Sequence, residues 1–412
     1  MTADLRIGIV ADDITGGAAI AGEIARAGHP VDLVRFGRGE PATRDVVIET
    51  GSRYIEPDAS AMLVRQATAQ ILAGRPQVVM KKIDSTLKGN VATELAAFCD
   101  SVGERVVIAP ACPAVAIGVR DGIQLRSGRP GADVRELLTG VLPKPPALVD
   151  HRIVRSGPEA VAEALASARE QVSLVDAESD QELETVARAA ALAGIHAVAG
   201  TYGLGAALLA ATTESATPAA AADAPPSATR MLFLVGSASP VACAQVEALI
   251  AAGAESIVID VDAVLDSGAR AASAEVRRRI QASSRGVIVV HTGATATSEH
   301  VTSRRLTLGW SERELATRLR EPFGSALDAM PDAGLFLVGG ETTGALFDLG
   351  GWRGLRSVDE HAPAVPVAHV MGDTSHPFVL TKPGAFGASS TLVAAADRFL
   401  PSWRDTSTTV TC

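Results

Sequence analysis

The sequence predicts an α/β protein of two domains, each a mostly parallel sheet flanked by helices, with the active site in the interdomain cleft. Three observations carry this. The chain of 412 residues exceeds the size at which one hydrophobic core stops growing. Short Val/Ile-rich runs alternate with longer Ala-rich stretches, the pattern of strands buried on both faces and joined by helices. That alternation breaks at 211–230, where Ala, Pro, Ser and Thr run without strand periodicity around Pro225 and Pro226. The expected division is a first domain over 1–210, a linker over 211–230 and a second domain over 231–412.

In the first domain, strands are expected at 5–10, 31–36, 45–50, 77–83, 105–110, 172–177 and 196–200. Helical patterns fill 16–27, 57–73, 90–102, 158–169 and 180–193 between them. The second domain reads as strands at 231–237, 256–262, 286–292 and 334–340, with helices near 240–252, 271–284, 311–330 and 341–348. In open sheets of this kind, ligands bind where loops converge at the carboxyl ends of the strands.

Composition narrows the function. Hydrophobic residues at 47% and charged residues at 20% exclude wholesale disorder, and aromatics at 3% leave the cores to Ala, Val, Leu and Ile. The formal charge of −10 gives no basic footprint for nucleic acid, so an anionic substrate needs a local basic pocket. Cys99, Cys112, Cys243 and Cys412 lack disulfide or metal-finger spacing and suit a reduced chain. The opening MTADLRIGIVADD does not read as a signal peptide, and no apolar run reaches a membrane span of about 18 residues. A soluble, cytoplasmic protein able to form a homo-oligomer is expected.

Two loops of the first domain concentrate chemistry. Asp12 and Asp13 follow the first strand in ADDITGG, where they can face a ligand hydroxyl or a metal, or cap the next helix. Lys81, Lys82, Asp84, Ser85, Thr86 and Lys88 are compressed into KKIDSTLKGN after another strand, a loop able to hold a carboxylate or phosphate. Arg53, in the GSRY turn, offers a planar fork to a carboxylate. Cys112 lies between prolines with no nearby His to activate it, so packing is the expected role.

In the second domain, Gly236–Pro240, Gly339–Gly344 and the loop over 382–387 are glycine- and hydroxyl-bearing joins between strand and helix. Three together favour phosphates held at helix N-termini. Neither GxxxxGK[ST] nor a first-strand GxGxxG occurs, which argues against a P-loop NTPase and a dinucleotide dehydrogenase. No compact histidine set suggests a resident metal.

IVADDITGG, GSRY, KKIDSTLKGN, APACPAV, DAESDQEL with AGTYGL, GSASPVACAQV, GGETTGAL and TKPGAFG occur in that order. This series resembles the four-carbon acid sugar kinase family over nearly the whole chain. The resemblance implies an N-terminal sugar-acid domain and a C-terminal ATP domain, with Mg²⁺ accompanying ATP. It assigns Asp12, Asp13 and Lys88 to catalysis, and Arg53, Lys82, Asp84, Ser85 and Thr86 to the sugar acid. Ser237, Ser239, Gly339, Gly340, Glu341, Thr342 and Gly384 would line the ATP site. The family's helix acid and its DSTLRGN arginine are replaced here by Ala19 and Lys88, and the arginine of its turn after PAxP by Ile117. The expectation is an ATP-dependent kinase of a small sugar acid, with an acceptor differing from simple tetronates because of Ile117. A non-catalytic ligand-binding protein of the same fold is the alternative, and a hydroxy-acid dehydrogenase a weaker third.

Overall fold

A computed structural model describes residues 6–212, 227–293, 303 and 306–404. The chain divides into two compact units, Met1–Ala221 and Ala222–Cys412. Most of the expected linker, 213–226, lies outside the described residues.

The first unit begins β1 (Ile7–Ala11), α1 (Ile14–Arg26), β2 (Val31–Arg35), β3 (Asp45–Glu49), α2 (Pro57–Ala73), β4 (Val78–Lys82), α3 (Val91–Val102) and β5 (Val106–Ala109). A hairpin sheet follows: β6 (Ile117–Arg120), β7 (Ile123–Arg126) and β8 (Arg129–Asp133). The unit continues with α4 (Val134–Thr139), β9 (Ala147–Val149), α5 (His151–Arg155), α6 (Pro158–Ser167) and β10 (Val172–Val175). It closes with α7 (Asp180–Leu192), β11 (Ala197–Gly200) and α8 (Leu204–Thr212). Its main strands pair in parallel in the order β2-β3-β1-β4-β11-β5-β10-β9. Strands such as IGIVA and VVMKK are buried at every position, which is why they read as continuous runs rather than alternating ones.

The second unit runs β12 (Met231–Val235), α9 (Pro240–Ala251), β13 (Glu255–Val258), α10 (Val261–Ser267), α11 (Arg270–Ala282) and β14 (Val287–His291). After these come α12 (Glu312–Ala329), β15 (Gly334–Val338), α13 (Gly340–Gly350), β16 (Gly354–Ala362), β17 (Val365–Met371), β18 (Val379–Lys382) and α14 (Thr391–Phe399). Its strands lie in the order β13-β14-β12-β15-β18-β17-β16, with β17 antiparallel to both neighbours. The core is mainly Ala, Val, Leu and Ile, as composition implies, and in the second unit aromatic side chains join it. Phe233 stacks on Phe336 with centroids 5.5 Å apart, and Phe378 meets Phe399 at 4.8 Å within one buried cluster.

Two further readings change. The strand expected over 256–262 ends at Val258, because the Asp260 carboxylate accepts the Ala263 amide and starts α10. The hairpin over 117–133 was not anticipated, since its last strand, RPGAD, is wholly exposed and carries no apolar period.

Candidate functional site

Each sheet places its loops at a switch in strand order. In the first unit β1 and β4 are neighbours, Ala11 beside Lys82, yet the chain leaves β1 toward β2 and leaves β4 toward β5. A crevice opens at the carboxyl ends of strands whose connections diverge in this way. The loops carrying Asp12, Asp13 and Lys82–Lys88 lie there. In the second unit β12 and β15 are neighbours, Val235 beside Val338, and their connections diverge likewise. The loops after them carry Ser237, Ser239 and Gly339–Thr342.

Asp13 is saturated by local structure. It caps α1, one oxygen accepting the Gly16 amide at 3.0 Å and the other the Thr15 hydroxyl at 2.7 Å. Arg53 closes over the pair: Nε donates to Asp12 Oδ2 at 2.6 Å and Nη2 to Asp13 Oδ1 at 2.7 Å, while Nη1 lies 3.4 Å from Asp84 Oδ2. The fork expected to await a ligand carboxylate is therefore engaged by the protein's own. Asp84 likewise shapes its turn, accepting the Thr86 amide at 2.8 Å, the Thr86 hydroxyl at 2.5 Å and the Lys88 amide at 3.2 Å. Gly89 completes that turn at φ +80°, so close to Arg53 that a Cβ would stand 2.5 Å from its carbonyl oxygen.

What stays open is more selective than the motif. Asp12 Oδ1 is buried and has no hydrogen-bond partner among the described residues. Burial would raise this carboxyl, but Arg53, with Lys81 and Lys82, outweighs burial and lowers its pKa to about 2. Lys82 is buried, donates to the Ile83 carbonyl at 2.7 Å, and stands next to the start of α1. Lys81 points the other way, as alternate strand residues must. It is fully buried, 2.8 Å from Glu94, whose other oxygen accepts Ser52 and Ser60. Only one of the two adjacent lysines is thus left for a ligand. Lys88 is exposed on the turn.

Sequence reasoning missed three groups in this unit. Gln124 and Arg126, on β7, hold the loop from outside: Gln124 donates to the Ser85 carbonyl at 3.0 Å and Arg126 Nη2 to the Thr86 carbonyl at 2.8 Å. Arg126 is also the register partner of Ile117. An arginine therefore stands across the hairpin from the position where one was found lacking. Glu49 ends β3 buried, and burial pushes its carboxyl up to about 7, with Arg35 at 3.3 Å opposing and Asp13 and Asp12 adding to the rise. An acid closing the apolar run DVVIE was the one available signal. Cys112 is buried, its thiol raised to about 11 by burial, which suits packing and not nucleophilic attack.

In the second unit the three glycine loops meet. Ser239 caps α9 and its hydroxyl donates to the Gly384 carbonyl at 2.8 Å. A Cβ on Gly384 would overlap the Ser237 hydroxyl, and one on Gly236 the Thr342 hydroxyl. Gly339, at φ +110°, precedes α13 without a side-chain cap. The Gly340 and Thr342 amides of its first turn have no acceptor among the described residues, which suits an anion. Glu341 lies in its first turn. Lys382, also missed, ends β18 fully buried.

Among the described residues no group of three or more His, Cys, Asp or Glu side chains is placed to hold a metal, and no helix is long and apolar enough to cross a membrane. Residues 7–212 match a family profile described as a sugar-binding N-terminal domain, and 232–392 one described as a nucleotide-binding C-terminal domain. The chain is 30% identical to a D-threonate kinase of Bordetella bronchiseptica over 95% of this chain and 96% of that protein. It is 26% identical to a D-erythronate kinase of Heliobacterium modesticaldum over 95% and 96%. A solved Salmonella typhimurium protein shares the fold with a TM-score of 0.79, at 20% identity over 96% of this chain and 99% of that one. With both halves matched in order and the expected motifs on facing loops of each sheet, the chain belongs to the four-carbon acid sugar kinase family.

Proposed function

We propose that this chain is an ATP-dependent kinase that phosphorylates a hydroxyl of a small, four-carbon-class sugar acid. The observation that carries this reading is Asp12, ionised, fixed by Arg53 through one oxygen and unpartnered through the other. That free oxygen accepts and orients the acceptor hydroxyl. A carboxylate with a pKa near 2 is a weak base, but phosphoryl transfer through a loose transition state asks mainly for positioning and charge neutralisation. Lys82, beside the start of α1, and Lys88 and the Ser85 hydroxyl of the following loop are the groups that can hold the acid. Threonate and erythronate kinases among the relatives support the four-carbon class. Arg126, opposite Ile117, supports an acid held by a cation other than the arginine that is lacking there.

The glycine loops and the uncapped start of α13 suit the phosphates of ATP. Their hydroxyls and amides, not carboxylate clusters, line the site, so Mg²⁺ would be held mainly by phosphate oxygens and water and would neutralise developing charge. The first domain over 1–210 would take the acid, and the second over 231–412 the nucleotide. In a coupled ADP-release assay over threonate, erythronate, their 3-oxo relatives and longer acids, at least one acid should give turnover. Asp12→Asn should lower kcat by about 10²-fold or more, with ADP affinity unchanged. No turnover with any acid, or full kcat in the variant, would refute the proposal.

A further inference from the structure

Lys382 is a buried amine with no carboxylate beside it among the described residues. Its side chain is fully buried, and Nζ donates to the carbonyls of Pro383 at 3.0 Å, Gly384 at 3.2 Å and Phe386 at 2.9 Å. Three donors on three acceptors is the full complement of an ammonium. No carboxylate pairs with it among the described residues. The groups packed around it are neutral: the Ser237 and Ser239 hydroxyls from the loop before α9, the Gln245 amide from α9 and Val338 from β15. Burial alone lowers its pKa to about 7. An isolated buried cation is costly unless an anion compensates it.

The three carbonyls also decide where the amides point. In a trans peptide the C=O and the following N–H are antiparallel. Turning the Pro383, Gly384 and Phe386 carbonyls inward onto Nζ turns the amides of Gly384, Ala385 and Gly387 outward. None of those three N–H groups has a partner among the described residues. Successive outward amides of this kind form an anion-binding nest. Gly387, at φ +86°, and the bare Gly384 against Ser237 are the residues that let the loop adopt this path. The Lys382 carbonyl accepts the Gly339 amide at 2.9 Å, so the same residue also ties the nest to the start of α13.

We infer that Lys382 is the positioning residue of the phosphate site: from beneath the loop it turns the amides of Gly384, Ala385 and Gly387 toward a nucleotide phosphate, and the phosphate is its counter-ion. Nζ itself does not reach the ligand. It acts through the loop and through its charge, which is weakly screened in a buried setting. This rests on the reading of the second unit as the nucleotide site.

The test is calorimetric titration of the full-length protein with ADP and, separately, adenosine. Lys382→Met should weaken ADP at least tenfold and leave adenosine within threefold, because only the phosphates meet the nest. A second measurement uses the unaltered protein and survives misfolding of the variant. At pH 8 the ADP phosphates are fully ionised, their last pKa being about 6. Binding should therefore raise the lysine's pKa and take up protons, seen as a dependence of the binding enthalpy on the buffer's ionisation enthalpy. Equal loss of ADP and adenosine, unchanged ADP affinity in the folded variant, or no proton uptake would overturn the inference. Absence of ADP binding to the unaltered protein would overturn the nucleotide reading on which it rests.

Discussion

Arg53 joins three aspartates from two loops, and its removal takes from buried Asp12 the one side chain that donates to it. Arg53→Ala should destabilise the first unit by about 3–5 kcal/mol at pH 7, the cost of stranding buried charge. The sign with pH follows from Asp12. Its folded pKa is depressed to about 2, so its stabilising contribution is present above the ordinary carboxylate range and lost as pH falls from about 4 toward 2. Without Arg53, burial dominates and the carboxyl protonates more readily, so the deficit should be larger at pH 7 than at pH 4. Urea unfolding at the two pH values checks this, and an equal deficit would refute it. The adjacency of Asp12 and Asp13 was legible in the sequence. Which of them keeps a free oxygen was not, because that depends on a helix cap and on an arginine forty residues away. The paired lysines were ambiguous for the same kind of reason: the pleat sends Lys81 to Glu94 and Lys82 to the site.

Among elements, the β6–β8 hairpin matters most for what it holds. Gln124, wholly buried, braces the Ser85 carbonyl and accepts from Arg126 Nε at 3.0 Å, so the guanidinium is fixed at two points. Its Nη1 has no hydrogen-bond partner among the described residues. Arg126→Ala should raise the KM for the sugar acid about tenfold, the effect of one lost charge-assisted contact of roughly 1.5 kcal/mol. ADP affinity should stay unchanged. Steady-state kinetics with the best acid of the panel would show it, and an unaltered KM would exclude Arg126 from recognition. The fully buried parallel strands were legible because their runs are continuous. The hairpin was not, because its strands are four or five residues long and held by polar side chains reaching a distant loop.

At the scale of the whole molecule, the alternation of strands and helices was enough to read two α/β units and the loops that matter in each. It did not reveal β16 and β17, whose antiparallel pairing follows no crossover helix and whose sequence mixes Arg, Asp, Glu and His among the apolar residues. Nor did it reveal that a lysine lies beneath the third glycine loop, since TKPGAFG reads equally as a surface turn. Hydrogen exchange on the full-length chain offers a test at this scale. ADP should slow exchange at 340–342 and 384–387, where amides are expected to meet phosphate, while a sugar acid given alone should act in the first unit. Equal, diffuse slowing by either ligand would contradict the assignment of one ligand to each unit.

The bare start of α13 has a consequence for the helix itself. Seven of the described helices begin on a side chain that accepts one of their first amides, Asp13 for α1 and Ser239 for α9 among them. Gly339 has none to give. An N-cap is worth about 1 kcal/mol to the helix it closes. The phosphate of a bound nucleotide would take the place of that missing residue. On this view the nucleotide is a segment of secondary structure supplied from outside, and the first turn of α13 is completed when a nucleotide binds.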